Sequence, residues 1–229
     1  MNSRVSLRLA FSIAAILVGF TSYAHAGPPL ICHVIEIGQA KSLPLIDWNQ
    51  RGSAGYDPKN LTRDTLAILD SNPPVLVRME TLRRAAIYAR QDAPAAKELL
   101  TRLHARSADS DAAGHSNALA WFDVGYLAET YKQWFGKGEP NPAAGLDGYG
   151  WVKKAIRLRG QDLHGDDPEM EFAAALITLQ GPESYRQDHA KKAMAGAKND
   201  PLLAKNLASG FHSQTIAELL TSAPAGGEK

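Results

Sequence analysis

Beyond residue 60 the apolar positions recur with a helical period. Val75, Met79, Leu82, Ala86 and Ala89 stand at spacings of 4, 3, 4 and 3, one face of a 3.6-residue turn. Asn60 or Thr62 caps a helix through about Ser71, and Asn72 caps the next, with Pro73 in its first turn where the missing N–H costs nothing. A further helix at about 95–107 turns Ala96, Leu99, Leu100 and Leu103 inward. Residues 116–135 read as a long helix, apolar on more than one side. It holds Trp121, Phe122, Tyr126, Tyr131, Trp134 and Phe135, a spread over two faces that predicts a helix packed between neighbours with its aromatics in the core. After a loop at 136–150 rich in glycine and proline, helices are predicted near 149–159, 168–179, 183–197, 201–209 and 213–221.

The pattern before residue 61 differs. Leu30 to Ile37 is rich in Ile and Val and predicts one extended strand lying against the helical body, since a lone strand is not stable. Gly52 to Asn60 is turn chemistry. The expected fold class is therefore all-α with a short extended N-terminal segment.

An internal repeat organises the helices. Arg83-Arg84-Ala85-Ala86 leads to Gln91-Asp92, Lys153-Lys154-Ala155-Ile156 to Gln161-Asp162, and Lys191-Lys192-Ala193-Met194 to Asn199-Asp200, with nine residues from the first basic residue to the Asp each time. The starts lie 70 and 38 residues apart, near two units and one unit of a two-helix repeat. Physically, the basic pair is expected on the exposed face near a helix end, the alanines let two helices approach, and the Asp turns the chain and caps the next helix. An insertion at 163–167 stretches the second junction.

On these residues the chain resembles tetratricopeptide-like helical repeat proteins. Lys153 to Leu158, followed by Asp167 to Leu179, is similar to the end of one such repeat running into the next, and Trp121 with Gly125 is similar to the first helix of a repeat. The full Trp-Leu-Gly-Tyr-Ala-Phe-Ala-Pro pattern occurs nowhere. The resemblance covers about residues 74–211. It implies an irregular stack of antiparallel helix pairs, a TPR-like α-α solenoid whose concave face binds protein segments, and it carries over no catalytic residue.

The first residues read as a targeting signal. Arg4 and Arg8 precede an apolar run from Leu9 to Phe20, and Ala24-His25-Ala26 supplies small residues at a cleavage site. The expected organisation is a signal peptide at 1–26, an extended segment and loop at 27–61, a helical repeat domain at 62–222 and a flexible tail at 223–229. Export to the periplasm or the cell exterior follows, with no membrane span, because a dozen apolar residues fall short of the roughly 20 that cross a bilayer. Without Arg4 and Arg8 the 25 basic side chains fall to 23 against 24 acidic ones, a net charge of −1. Such a balance offers no concentrated basic face for nucleic acid.

Composition narrows the chemistry further. The 229 residues hold a single cysteine, which excludes an internal disulfide framework and any multi-cysteine metal cluster. Cys32-His33, with Glu36 nearby, gathers a nucleophile, a base and an acid, but adjacent strand residues face opposite ways. The thiol is read as structural. His164-Gly165-Asp166-Asp167 with Glu169 gathers an imidazole and three carboxylates, yet the spacing fits no calcium loop, and Asp before Pro is ordinary capping. His104, His115, His189 and His212 stand singly, without the pairing zinc needs, and are expected at the surface or its edge.

The functional expectation is an exported helical scaffold or protein-binding module whose partner is a protein or peptide, with no catalytic, cofactor-binding or metal-ligating residue assigned. The alternative is a small extracytoplasmic hydrolase or lyase on paired helices. An open groove would mark the first, and a closed cleft with converging, pKa-shifted carboxylates the second.

Overall fold

The computed structural model describes residues 29–44, 55–136, 138–180 and 183–222. The expected signal peptide at 1–26, its cleavage site and the tail at 223–229 lie outside the described residues, as do residues 45–54 of the N-terminal loop. Among the described residues the fold is all-α: α1 (Pro29–Cys32), α2 (Leu61–Asp70), α3 (Val75–Ala89), α4 (Ala93–Ala112), α5 (Ala118–Trp134), α6 (Gly148–Leu163), α7 (Pro168–Ile177), α8 (Glu183–Gly196), α9 (Pro201–Ala208) and α10 (Ile216–Thr221). A two-stranded hairpin, β1 (Gly210–Phe211) with β2 (Gln214–Thr215), links the last two helices. No described helix is long and apolar enough to cross a membrane.

Caps set most boundaries. Asp92 accepts from the Ala95 N–H at the start of α4, Asn117 from Ala120 at α5, Asp147 from Gly150 at α6, Asp167 from Glu169 and Met170 at α7, and Asp200 from Leu202 and Leu203 at α9. Each satisfies a helix N–H that has no partner within its own helix. The repeat's Asp thus caps the next helix in its first and third copies. In the second copy α6 runs on through Gln161-Asp162, and Asp167, at the end of the inserted residues, takes over the capping.

α5 packs against α3, α4 and α6, and α7 against α8. The central helix carries the aromatic core as its pattern predicts: Phe122, Tyr126 and Tyr131 are fully buried. Ala85, Ala155 and Ala193 are equally enclosed.

Two expected caps are absent: Asn60 precedes α2 without a side-chain cap bond, and α3 starts after Pro74 while Asn72 accepts from Arg78 instead. Two larger expectations also fail. Leu30–Ile37 does not form a strand; it makes one helical turn and then runs unpaired. Side chains replace the missing strand partner: the Ile35 N–H donates to Glu80 Oε2 at 3.0 Å and the Glu36 N–H to Asn206 Oδ1 at 2.8 Å. The basic pair is not surface decoration in its first copy. Arg83 is 2% exposed and bonds Glu80 through two nitrogens at 2.7 and 2.8 Å, while Arg84 bonds the same carboxylate at 2.7 Å. Arg83 also donates to the Ile31 carbonyl and Arg84 to that of Leu43. The charged face of α3 is covered because the N-terminal segment lies over it. Lys153 and Lys191 stay exposed in the other copies.

Candidate functional site

Two close helix approaches build the site. α6 begins against α5: a Cβ added to Gly148 would stand 2.7 Å from the Gly125 carbonyl oxygen, so the backbones meet where both residues lack side chains. The next residue, Tyr149, is fixed there by its N–H, which donates to Glu129 Oε1 at 2.9 Å. On the opposite wall, α8 closes on α7 at Gly196, where a Cβ would fall 2.1 Å from Pro168 Cβ. That contact sets Glu171 of α7 beside His189 and Lys192 of α8.

These residues form a chain of hydrogen bonds. Glu171, 0% exposed, bonds His189 Nδ1 through Oε2, and His189 Nε2 lies 2.9 Å from the Tyr149 hydroxyl. A carboxylate only accepts, so Nδ1 carries the imidazole proton and the Nε2 lone pair receives the O–H of Tyr149. Lys192 bridges Glu171 Oε1 and Asp166 Oδ1, both at 3.0 Å. The Lys153 ammonium lies 4.8 Å from the centre of the Tyr149 ring, a cation–π contact. Tyr185 stacks on Tyr149 with centroids 6.2 Å apart and is 50% exposed. Burial first, then Tyr185 and the surrounding carboxylates, pushes the Tyr149 phenol above its ordinary value.

A cavity of about 750 Å³ opens over this chain, with Tyr149, Tyr185, His189, Lys153, Lys191 and Asp188 in its lining. That size suits a small molecule or a few residues of a peptide.

A second, smaller cavity of about 390 Å³ holds Glu169, Asp167, Asp200 and Arg159. Glu169 Oε2 accepts the Leu76 N–H of α3 at 3.0 Å, so its carboxyl sits among the starts of α3, α7 and α9. Burial, reinforced by Asp200 and Asp167, pushes it up to about 7 from an ordinary 4.5. The folded chain therefore holds a proton that the unfolded chain releases between these values. This group's contribution is fully present below about pH 4.5 and is lost as pH rises through about 7. Discounting for its partial exposure, Glu169→Gln, which stays neutral at every pH, is expected to abolish a loss of about 1–2 kcal/mol that the wild type suffers as pH rises across that window. Denaturant melts of both chains from pH 4 to 8 check this; parallel pH profiles would show that Glu169 titrates normally.

The residues singled out in the sequence disperse. Cys32 ends α1, half-buried, and burial pushes its thiol up. His33 is buried, driven down to about 4 by burial and by Arg83, and its Nε2 has no hydrogen-bond partner among the described residues. Glu36 pairs with Lys205. His164 ends α6 in the left-handed conformation, at φ 55°. The loop's acids separate: Asp166 goes to Lys192, Asp167 to the start of α7 and to Arg159, and Glu169 to α3. No group of three or more potential metal-ligating side chains is gathered among the described residues. His104 lies beside Trp121 and Trp151, and His115 and His212 are exposed. His189, expected as another isolated surface residue, is the hub of the site. Glu171 is 18 residues away in sequence and Tyr149 is 40 away, so no local spacing marks the three.

No family model, curated protein or solved structure matches the chain.

Proposed function

We propose that the chain is an exported helical binding module, released from residues 1–26, which receives a segment of a partner protein in the cavity between α6 and α8. The carrying observation is Tyr185: a large aromatic ring, half-exposed, stacked on Tyr149 at the rim of a cavity that also presents Lys153, Lys191 and Asp188. Tyrosines so placed offer contact area at low entropic cost and are enriched where binding energy concentrates. Three lysines beside two acids, Asp166 and Asp188, suit a peptide, which brings carbonyls, amides and charges of both signs. The helix-pair arrangement and the peptide partner are also what the likeness to tetratricopeptide-like repeats implies. The test is selection of a random displayed peptide library on the full chain, with recovered peptides measured on the wild type and on Tyr185→Ala. At least tenfold weaker binding to the variant, about 1.4 kcal/mol, is expected. Equal affinity, or no enrichment, overturns the reading.

A further inference from the structure

We propose that Tyr149 is a nucleophile, activated by His189, that takes the acyl group of a carboxylic ester entering the α6–α8 cavity. The grounds are geometric and do not depend on the peptide-binding reading. A buried carboxylate, an imidazole and a hydroxyl stand in one hydrogen-bonded line, Glu171 to His189 Nδ1 and His189 Nε2 to the Tyr149 oxygen at 2.9 Å, and the last two line a cavity open to ligand. That is the arrangement by which an adjacent base activates a weak hydroxyl nucleophile, with a third group orienting the base. Here the hydroxyl is a phenol.

Charges around the chain fit the role. Glu171, Asp166 and Lys192 are joined by two ion pairs, and together they carry one net negative charge. Lys192 therefore does not cancel the field that would stabilise an imidazolium. The Lys153 ammonium, 4.8 Å from the centre of the Tyr149 ring, places a positive charge beside the nucleophile, where it favours the negative charge that develops during attack. Because the phenol stays protonated at neutral pH, its proton must leave during attack.

The Tyr149 oxygen bonds to the ester carbonyl carbon as its proton passes to His189 Nε2, giving a tetrahedral alkoxide. The alkoxide collapses, the bond to the leaving oxygen breaks, and the leaving alkoxide takes the proton back from Nε2 as an alcohol. Water, losing a proton to the same nitrogen, then attacks the acyl-tyrosine, releasing a carboxylic acid and restoring the phenol. Tyr149 and His189 are catalytic residues; Glu171 is a positioning residue acting through the imidazole.

The experiment treats the full chain with p-nitrophenyl acetate, follows nitrophenolate release, and locates the acetyl group by peptide mass mapping. A burst of nitrophenolate with acetyl on Tyr149 is expected, lost in Tyr149→Phe and reduced at least tenfold in His189→Gln. Glu171→Gln offers Nδ1 an amide N–H and is expected to shift the proton to Nε2. Its ¹⁵N imidazole shifts would report that tautomer while the label disappears. Circular dichroism confirms that the variants fold; if His189→Gln does not, His189→Asn replaces it. No acetyl on Tyr149, or equal labelling without the imidazole base, overturns the proposal. Peptide enrichment on the wild type and acetyl transfer to Tyr149 are read in separate experiments, and either can be absent while the other is present, so the two ideas fail separately.

Discussion

Glu80→Gln is expected to destabilise the fold by about 3–5 kcal/mol, although the substitution keeps the shape of the side chain. Glu80 is 0% exposed and is bonded by Arg83 and Arg84, whose side chains are only 3% and 12% exposed. Removing its charge strands two guanidiniums away from water, and an uncompensated buried charge costs far more than an intact buried pair contributes. The loss also reaches the N-terminal segment. Ile35 donates its N–H to Glu80, while Ile31 and Leu43 accept from the two arginines, so all three attachments share one carboxylate. Lys191→Gln, at an exposed pair member of the third repeat copy, is expected to cost under about 0.5 kcal/mol. Denaturant melts of the two variants settle it. A Glu80→Gln cost under about 1 kcal/mol would mean that the arginines find solvent or other acceptors without the charge.

That contrast marks where the sequence stops being informative. Helical period and capping chemistry are local: Asp92, Asn117, Asp147, Asp167 and Asp200 act on N–H groups within a few residues of themselves at the starts of α4, α5, α6, α7 and α9, while α3, which has no side-chain cap, and α8 are legible from period alone. Whether a face of α3 is exposed is not local. Arg83-Arg84 and Lys191-Lys192 occupy the same repeat register, and only the return of residues 29–44 across α3 separates them. The failed strand has the same origin, since Ile-Val richness records burial without saying whether a β partner or a carboxylate receives the N–H groups. The site was hidden more thoroughly, because its three members belong to three helices. Even the signal that could have hinted at it, one glycine within the aromatic helix at 125 and another opening the next helix at 148, reports only a close approach.

That approach supports the last prediction. Gly125→Val is expected to cost about 3 kcal/mol, the upper range for overpacking. An added Cβ at position 125 would already stand 2.7 Å from the Gly148 carbonyl oxygen and 2.9 Å from the Val152 nitrogen. Both neighbours are backbone, so no rotamer change relieves the clash and α6 must move off α5. Its first turn carries Tyr149, held by the bond from its N–H to Glu129. His189 instead is placed by α8 against α7, at the Gly196–Pro168 contact. The two sides of the cavity are thus anchored on different helix pairs, and displacing one opens the 2.9 Å contact between the phenol and the imidazole. Gly125→Val should therefore both lower the denaturant midpoint and change the ¹⁵N shift of His189 Nε2. Gly114→Ala, at an open position with φ +78°, should cost stability through backbone strain alone and leave that shift unchanged. Should Gly125→Val melt like the wild type with the imidazole signal intact, α5 and α6 would not be in the backbone contact that places Tyr149.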